Sequence, residues 1–291
     1  MQIGGWDIAA VLAKAVTYAA TLGAGGAVFF LLYCAALLRD SQRAAIRRLI
    51  AILVGISAAA GILRILLISG SMSGEMADMF NGTFARMILG AGEGRATGAR
   101  LIGLALTLCA LSSKRSLFGP GVAGAVMAVT SFAWIGHLHA LVPNIAPSLL
   151  LCLHLLCASF WLGALTPLLI VTAGGNELQI AAAARLFGKL ALRVVGLLVA
   201  AGASILLMLI HHAAQFWGSD YGAMMAAKLF AVACLLALAA WNKLHLTPRL
   251  LNRDARAAVL FRRSLCGEIA LGSLILLATA ALTTLAGPPP P

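Results

Sequence analysis

Stretches of about 20 apolar residues recur along the whole chain, and no other feature limits its fold so severely. Eight such runs stand out, at 8–38, 45–69, 98–113, 117–139, 147–172, 187–211, 221–243 and 265–286. Wound into a helix, a run of this length matches the hydrocarbon thickness of a bilayer. Lipid offers the backbone no hydrogen bonds, so each run must satisfy its own N–H and C=O groups, and a helix does this within one segment. The composition agrees: 62% of the 291 residues are apolar and 10% are charged, against about 25% charged in soluble domains. The expected fold is all-α, a single integral membrane bundle over residues 1–291 with about eight transmembrane helices embedded in the lipid bilayer.

The basic residues orient this bundle. Arg39, Arg43, Arg47 and Arg48 follow the first run, Lys114 and Arg115 the third, and Arg185, Lys189 and Arg193 the fifth. Lys243, Arg249, Arg253, Arg256, Arg262 and Arg263 follow the seventh, which brings the set to 15 of the 21 Lys and Arg. The alternate connections hold only Arg86, Arg95 and Arg100. Positively charged connections stay in the cytoplasm, so both termini are expected outside. The net charge of +12 then reads as an orientation signal, and no nucleic-acid partner is expected. The opening "MQIGGWDIAA" lacks the basic stretch of a cleavable signal peptide, so the first run is expected to remain as a helix. The "GPPPP" after the eighth run stops it, because proline cannot continue a helix. The longest polar segment, 70–97, reads as an outward Met- and Gly-rich loop with room for a short surface helix at 75–89.

Once the chain is oriented, the soft side chains gather on one side. His137 and His139 close the fourth run, His154 lies in the fifth, and His211 and His212 close the sixth, all toward the outer face. Only His245 falls on the cytoplasmic side. Met208 precedes His211 and His212 by three and four residues, so the three can share a helix surface. Cys157 follows His154 by three, one turn deeper. Met72, Met76 and Met79 are spaced four and three, on one side of any helix formed there. Thioether and thiolate select copper(I), and imidazole suits copper in either oxidation state. His137, His139, His154, His211, His212 and Met208 are therefore the candidate metal ligands, with Cys157, Met72, Met76 and Met79 as auxiliary ones. Singly, each has a plainer reading: a histidine at a helix end snorkels, and a membrane methionine packs. His137 and His139, two residues apart, face one metal together only if the helix frays near Gly136. The six cysteines sit in or beside the runs and suggest no disulfide framework.

Charges within the runs are costly unless paired or hydrated. Lys14, Arg64, Lys228 and Glu268 are of this kind, and Asn242 stands at a depth similar to that of Glu268. Structural pairing is the default reading of Glu268, and a proton or ion path is the sharper alternative. No Walker loop, HExxH, CxxC or CxxCH occurs, and "GAGEGRATG" (90–98) follows no strand, so it is not a phosphate loop. No enzymatic activity is expected.

Three segments resemble a known family. They are "HLLCASFWLGALTPLL" (154–169), "YGAMMAAKLFAVACLLALAAWNKLHLTPRL" (221–250) and "FRRSLCGEIALGSLILLATAALTTLAGPPP" (261–290). Their features are a His followed by Phe-Trp-Leu-Gly and Pro, a Tyr-Gly with a Lys, Asn and Leu-x-Pro, and an Arg-Arg-Ser with a following Glu. Together, over about residues 130 to 290, they resemble the CopD family of bacterial inner-membrane copper proteins. The resemblance implies an eight-helix, multi-pass protein of the bacterial inner membrane in copper uptake or resistance. It also implies a separate periplasmic CopC-like copper-binding partner. Carried over by position, it marks His154, Trp161, Lys228, Asn242 and Glu268. The functional expectation is copper transport from periplasm to cytoplasm through a His/Met-lined site, as copper(I) or copper(II), with both termini and the 70–97 loop periplasmic. One alternative is a heme-binding electron-transfer protein, with histidines of neighbouring helices such as His154 and His211 as axial ligands. Another is a membrane receptor for a copper chaperone that transports nothing itself.

Overall fold

Every apolar run becomes a helix in the computed structural model of the chain, which describes residues 4–112, 114–134, 145–210, 218–252 and 254–285. In chain order α1 spans Gly5–Cys34, α2 Asp40–Ser73, α3 Gly82–Gly90, α4 Gly92–Thr107 and α5 Arg115–Thr130. Then come α6 Ile145–Gly174, α7 Glu177–Leu209, α8 Asp220–Trp241, α9 Thr247–Leu251 and α10 Ala255–Leu285. No strand occurs among the described residues. Eight helical segments there are long and apolar enough to cross a membrane; α3 is not one, and α8 and α9 form one span through a π-helical turn, Asn242–Leu246. The protein is an all-α, polytopic membrane bundle.

The helices outrun the apolar stretches that announced them. α7 begins ten residues before 187 and α10 ten before 265, because the apolar stretch marks only the part of a helix facing lipid. The third span is displaced toward the N-terminus: it covers Gly92–Leu111, where the apolar run is 98–113. Glu93 and Arg100 find partners inside the bundle, so their charges need not wait in a loop. The ends expected at 139 and 211 lie outside the described residues.

Segment 70–97 is mostly helical and not an open loop. α2 runs to Ser73 and stops at Gly74, whose φ of 83° is a left-handed value that glycine adopts freely. A 3-10 turn, Met76–Phe80, follows, then α3. The Ser69 hydroxyl donates to the Asp78 carbonyl at 2.7 Å and ties the turn back to α2. The Asn81 amide donates to the Asp78 carboxylate at 3.0 Å and holds that carboxyl below its usual range.

α1 is the hub, packed against α2, α5, α6 and α10. Small residues make this possible, since apolar helices in lipid associate through close packing and not through exclusion of water. Where α1 crosses α6, a Cβ on Gly26 would stand 2.1 Å from the Ser159 carbonyl oxygen and 2.5 Å from Gly163 Cα. The two backbones are in contact there, and the Ser159 hydroxyl donates to the Leu22 carbonyl across the same seam at 2.8 Å. Toward α2, Thr21 and Ser57 share a buried hydrogen bond of 2.6 Å. α7 lies at the edge of the bundle and exposes Leu192, Leu197 and Leu207.

Candidate functional site

One end of the bundle, the N-terminal face, collects the start of α1, the end of α2, the starts of α6 and α8, and the ends of α7 and α10. His154 lies on α6 nine residues below this face, about 14 Å at 1.5 Å per residue. Its Nδ1 is 3.2 Å from the Leu198 carbonyl oxygen of α7. A carbonyl only accepts, so Nδ1 carries the proton and donates, which leaves Nε2 with its lone pair. This is the arrangement by which metal-binding imidazoles are oriented. α7 comes close enough because residue 202 is glycine: a Cβ there would lie 3.0 Å from the ring's Cε1 and 3.2 Å from Nδ1. Lys228 of α8, at a similar depth, acts electrostatically on the same ring. Cys157, one turn deeper on α6, is a buried free thiol.

The other soft candidates are dispersed. Met208 is 44% exposed, and six residues beyond Gly202 it stands about 240° further round α7, away from the His154 contact. Met72 ends α2 while Met76 and Met79 belong to the 3-10 turn, so Gly74 separates a trio expected on one helix. Met72 and Met76 are exposed, whereas Met79 packs over Gly70 beside Trp6. His137, His139, His211 and His212 lie outside the described residues. Among the described residues no three His, Cys, Asp or Glu side chains gather into a metal-holding group. His245 stacks on Trp241 with ring centroids 4.1 Å apart.

Deeper and toward the opposite face, Asn242 and Glu268 meet. The Asn242 amide donates to Glu268 Oε1, and Glu268 is only 3% exposed. Asn242 opens the π-helical turn between α8 and α9, where the Thr247 hydroxyl donates to its carbonyl at 2.9 Å. Such turns are frequent at functional sites. The similar depth read from the sequence becomes a direct contact.

Sequence reasoning missed a cluster near the N-terminal face. Arg64 of α2 forms an ion pair with Glu93 of α4. Lys14 and Arg100 are within electrostatic reach of both. Arg100 is 1% exposed; its Nε donates to Ser131 Oγ at 3.1 Å, and its guanidinium lies 3.9 Å from the centre of the Phe132 ring. Lys14 donates to the Thr283 carbonyl of α10 at 2.9 Å. The cluster rivets α1, α2, α4 and α10 together. The available signal was the spacing of Glu93 and Arg100, seven residues apart and so on one helix face.

Known families account for most of the chain. Residues 6–141 match the copper resistance protein D-like N-terminal domain, and residues 181–282 match copper resistance protein D. Lys228, Asn242 and Glu268 fall within the second match, while His154 lies between the two. No curated protein and no solved structure matches the chain. With both halves matched and eight apolar helices between them, the chain is a multi-pass membrane protein of copper resistance and homeostasis, and it belongs to the copper resistance protein D family.

Proposed function

We propose that this protein carries copper inward across the bacterial inner membrane, entering at the N-terminal face, with His154 as the intramembrane ligand. The observation that carries this reading is the His154 tautomer. The Leu198 carbonyl takes the Nδ1 proton, so Nε2 is a ready donor within an apolar wall of α6 and α7. Imidazole and thiol suit copper(I), and Cys157 offers a further soft group one turn inward. His137, His139, His211 and His212, adjoining in sequence the ends of α5, α6 and α7, are the proposed outer imidazoles. Met208 and the exposed Met72 and Met76 would assist capture, with Met79 held beside them. A separate CopC-like protein of the periplasm would deliver the metal.

Reconstituted into liposomes with this face outward, the protein should accumulate copper in the lumen, and the purified protein should bind copper without a heme absorbance band. Copper binding with no flux would leave a receptor and remove the transporter. The orientation has its own test. A reporter fused after Leu285 that works only in the cytoplasm should stay silent, because 15 of 21 basic residues lie on the opposite connections. A strong signal from that fusion would invert the proposed direction.

A further inference from the structure

Among the described residues the carboxylate of Glu268 has no ion-pair partner. Glu268 is among the residues lining a cleft of about 160 Å³, room for several waters. α1 lines that cleft with Ala19 and Gly23, α2 with Leu49 and Leu53, and α6 with Leu162 and Thr166. None of these titrates, and among the described residues no charged side chain acts on Glu268, whose carboxylate takes a side-chain hydrogen bond from the Asn242 amide. Asn242 Oδ1 is buried and accepts no hydrogen bond from the described residues. Two acceptors, one charged, thus face a low-dielectric interior with one donor between them. A buried acceptor left unpaired costs about 1–3 kcal/mol, and an ionised group in the membrane costs more.

We propose that Glu268 is a proton-exchanging carboxyl, loaded from the water of the cleft and paired with Asn242 as an acid–amide couple. One proton serves both deficits. It removes the charge by forming an O–H bond on the carboxyl, and that O–H is the donor Asn242 Oδ1 lacks. Release reverses the step, returning the proton to cleft water, so atoms and charge balance with no other reactant. A metal cation fits less well, because the cleft's oxygen donors besides this pair are few and Ser273 already donates to the Ile269 carbonyl. The π-helical turn at Asn242 gives the amide a joint that can follow the carboxyl between its two states. Coupling of this proton to copper movement rests on the transport reading above; the proton site itself does not.

Infrared difference spectra of the copper-free protein in nanodiscs, taken across the neutral pH range, test the site. A protonated-carboxyl band should appear and vanish with pH, be absent in Glu268→Gln, and move in Asn242→Leu. A carboxyl that never changes state in that range would overturn the proposal. Should Glu268→Gln not assemble, Glu268→Asp keeps a titrating group, and its band should move. Liposomes free of sodium test the coupling. If one proton exchanges per copper, a one-unit pH gradient should change steady-state copper accumulation about tenfold, and Glu268→Gln should abolish that dependence while copper binding remains. Dependence on a sodium gradient instead would overturn the coupling. An absence of copper flux in the unaltered protein would remove the transport reading and leave the infrared result to judge the site.

Discussion

His154→Ala should weaken copper(I) binding by about 100-fold or more, since loss of even an outer partner of a metal-bound imidazole costs about 10–100-fold. The expected chain of effects is local. The substitution deletes Nε2 and leaves the Leu198 carbonyl and the α6–α7 seam otherwise in place, so expression and helix content should hold. Gly202→Val probes the same ring from the other side. A Cβ at 202 already meets Cε1 at 3.0 Å and Nδ1 at 3.2 Å, so the added methyls must turn the imidazole off the carbonyl. A loss of about 10–100-fold is then expected with the histidine still present. His245→Ala is the control, because that ring stacks on Trp241 away from the His154 contact. Equal copper stoichiometry and uptake in His154→Ala and His245→Ala would remove His154 from the route.

Gly26→Ala should be the most damaging methyl added at any of the described glycines. Its Cβ would lie 2.1 Å from the Ser159 carbonyl oxygen and 2.5 Å from Gly163 Cα. Both are backbone atoms, so no side chain can turn aside, and α1 must move off α6. Overpacking that side chains can absorb costs about 1–3 kcal/mol, and the cost here should exceed that range. Native proteins hold only about 5–15 kcal/mol in reserve, so the monodisperse folded fraction in detergent should fall sharply and the melting temperature by about 10 °C. Gly188→Ala is the matched control: nothing lies within 4 Å of its Cβ position, and alanine favours helix. A Gly26→Ala protein that melts with the Gly188→Ala protein would show that the seam can relax.

The spans were legible because lipid enforces one simple rule over some 20 residues at a time, and α1, α2 and α6 obey it. The start of α4 was not legible, because Glu93 and Arg100 look like loop charges until Arg64, Ser131 and Phe132 are placed around them. Those partners come from elements remote in sequence, and hydropathy along one segment carries no record of them. Depth could be read by counting residues, which puts Asn242 at a level similar to that of Glu268. Azimuth could not: the spacing gives Met208 a helix surface shared with His211 and His212, and only the structure shows it turned away from the His154 contact. The tie from His154 to the Leu198 carbonyl was equally invisible, since a backbone acceptor has no sequence signature.

The bond from Lys14 to the Thr283 carbonyl joins residues 269 positions apart. At roughly 5–20 residues per second a ribosome needs about 13 to 54 s to cover that distance. For all of that time α1, already in the membrane, holds an ammonium without the acceptor that will receive it. On insertion scales such a charge costs up to about 2.5–3.5 kcal/mol, the figure for the centre of a helix, and less toward an end. The hub is made early and locked late, so assembly has to wait for α10. A nascent chain interrupted before that helix would present a quality-control protease with an open seam on α1 where Thr283 belongs.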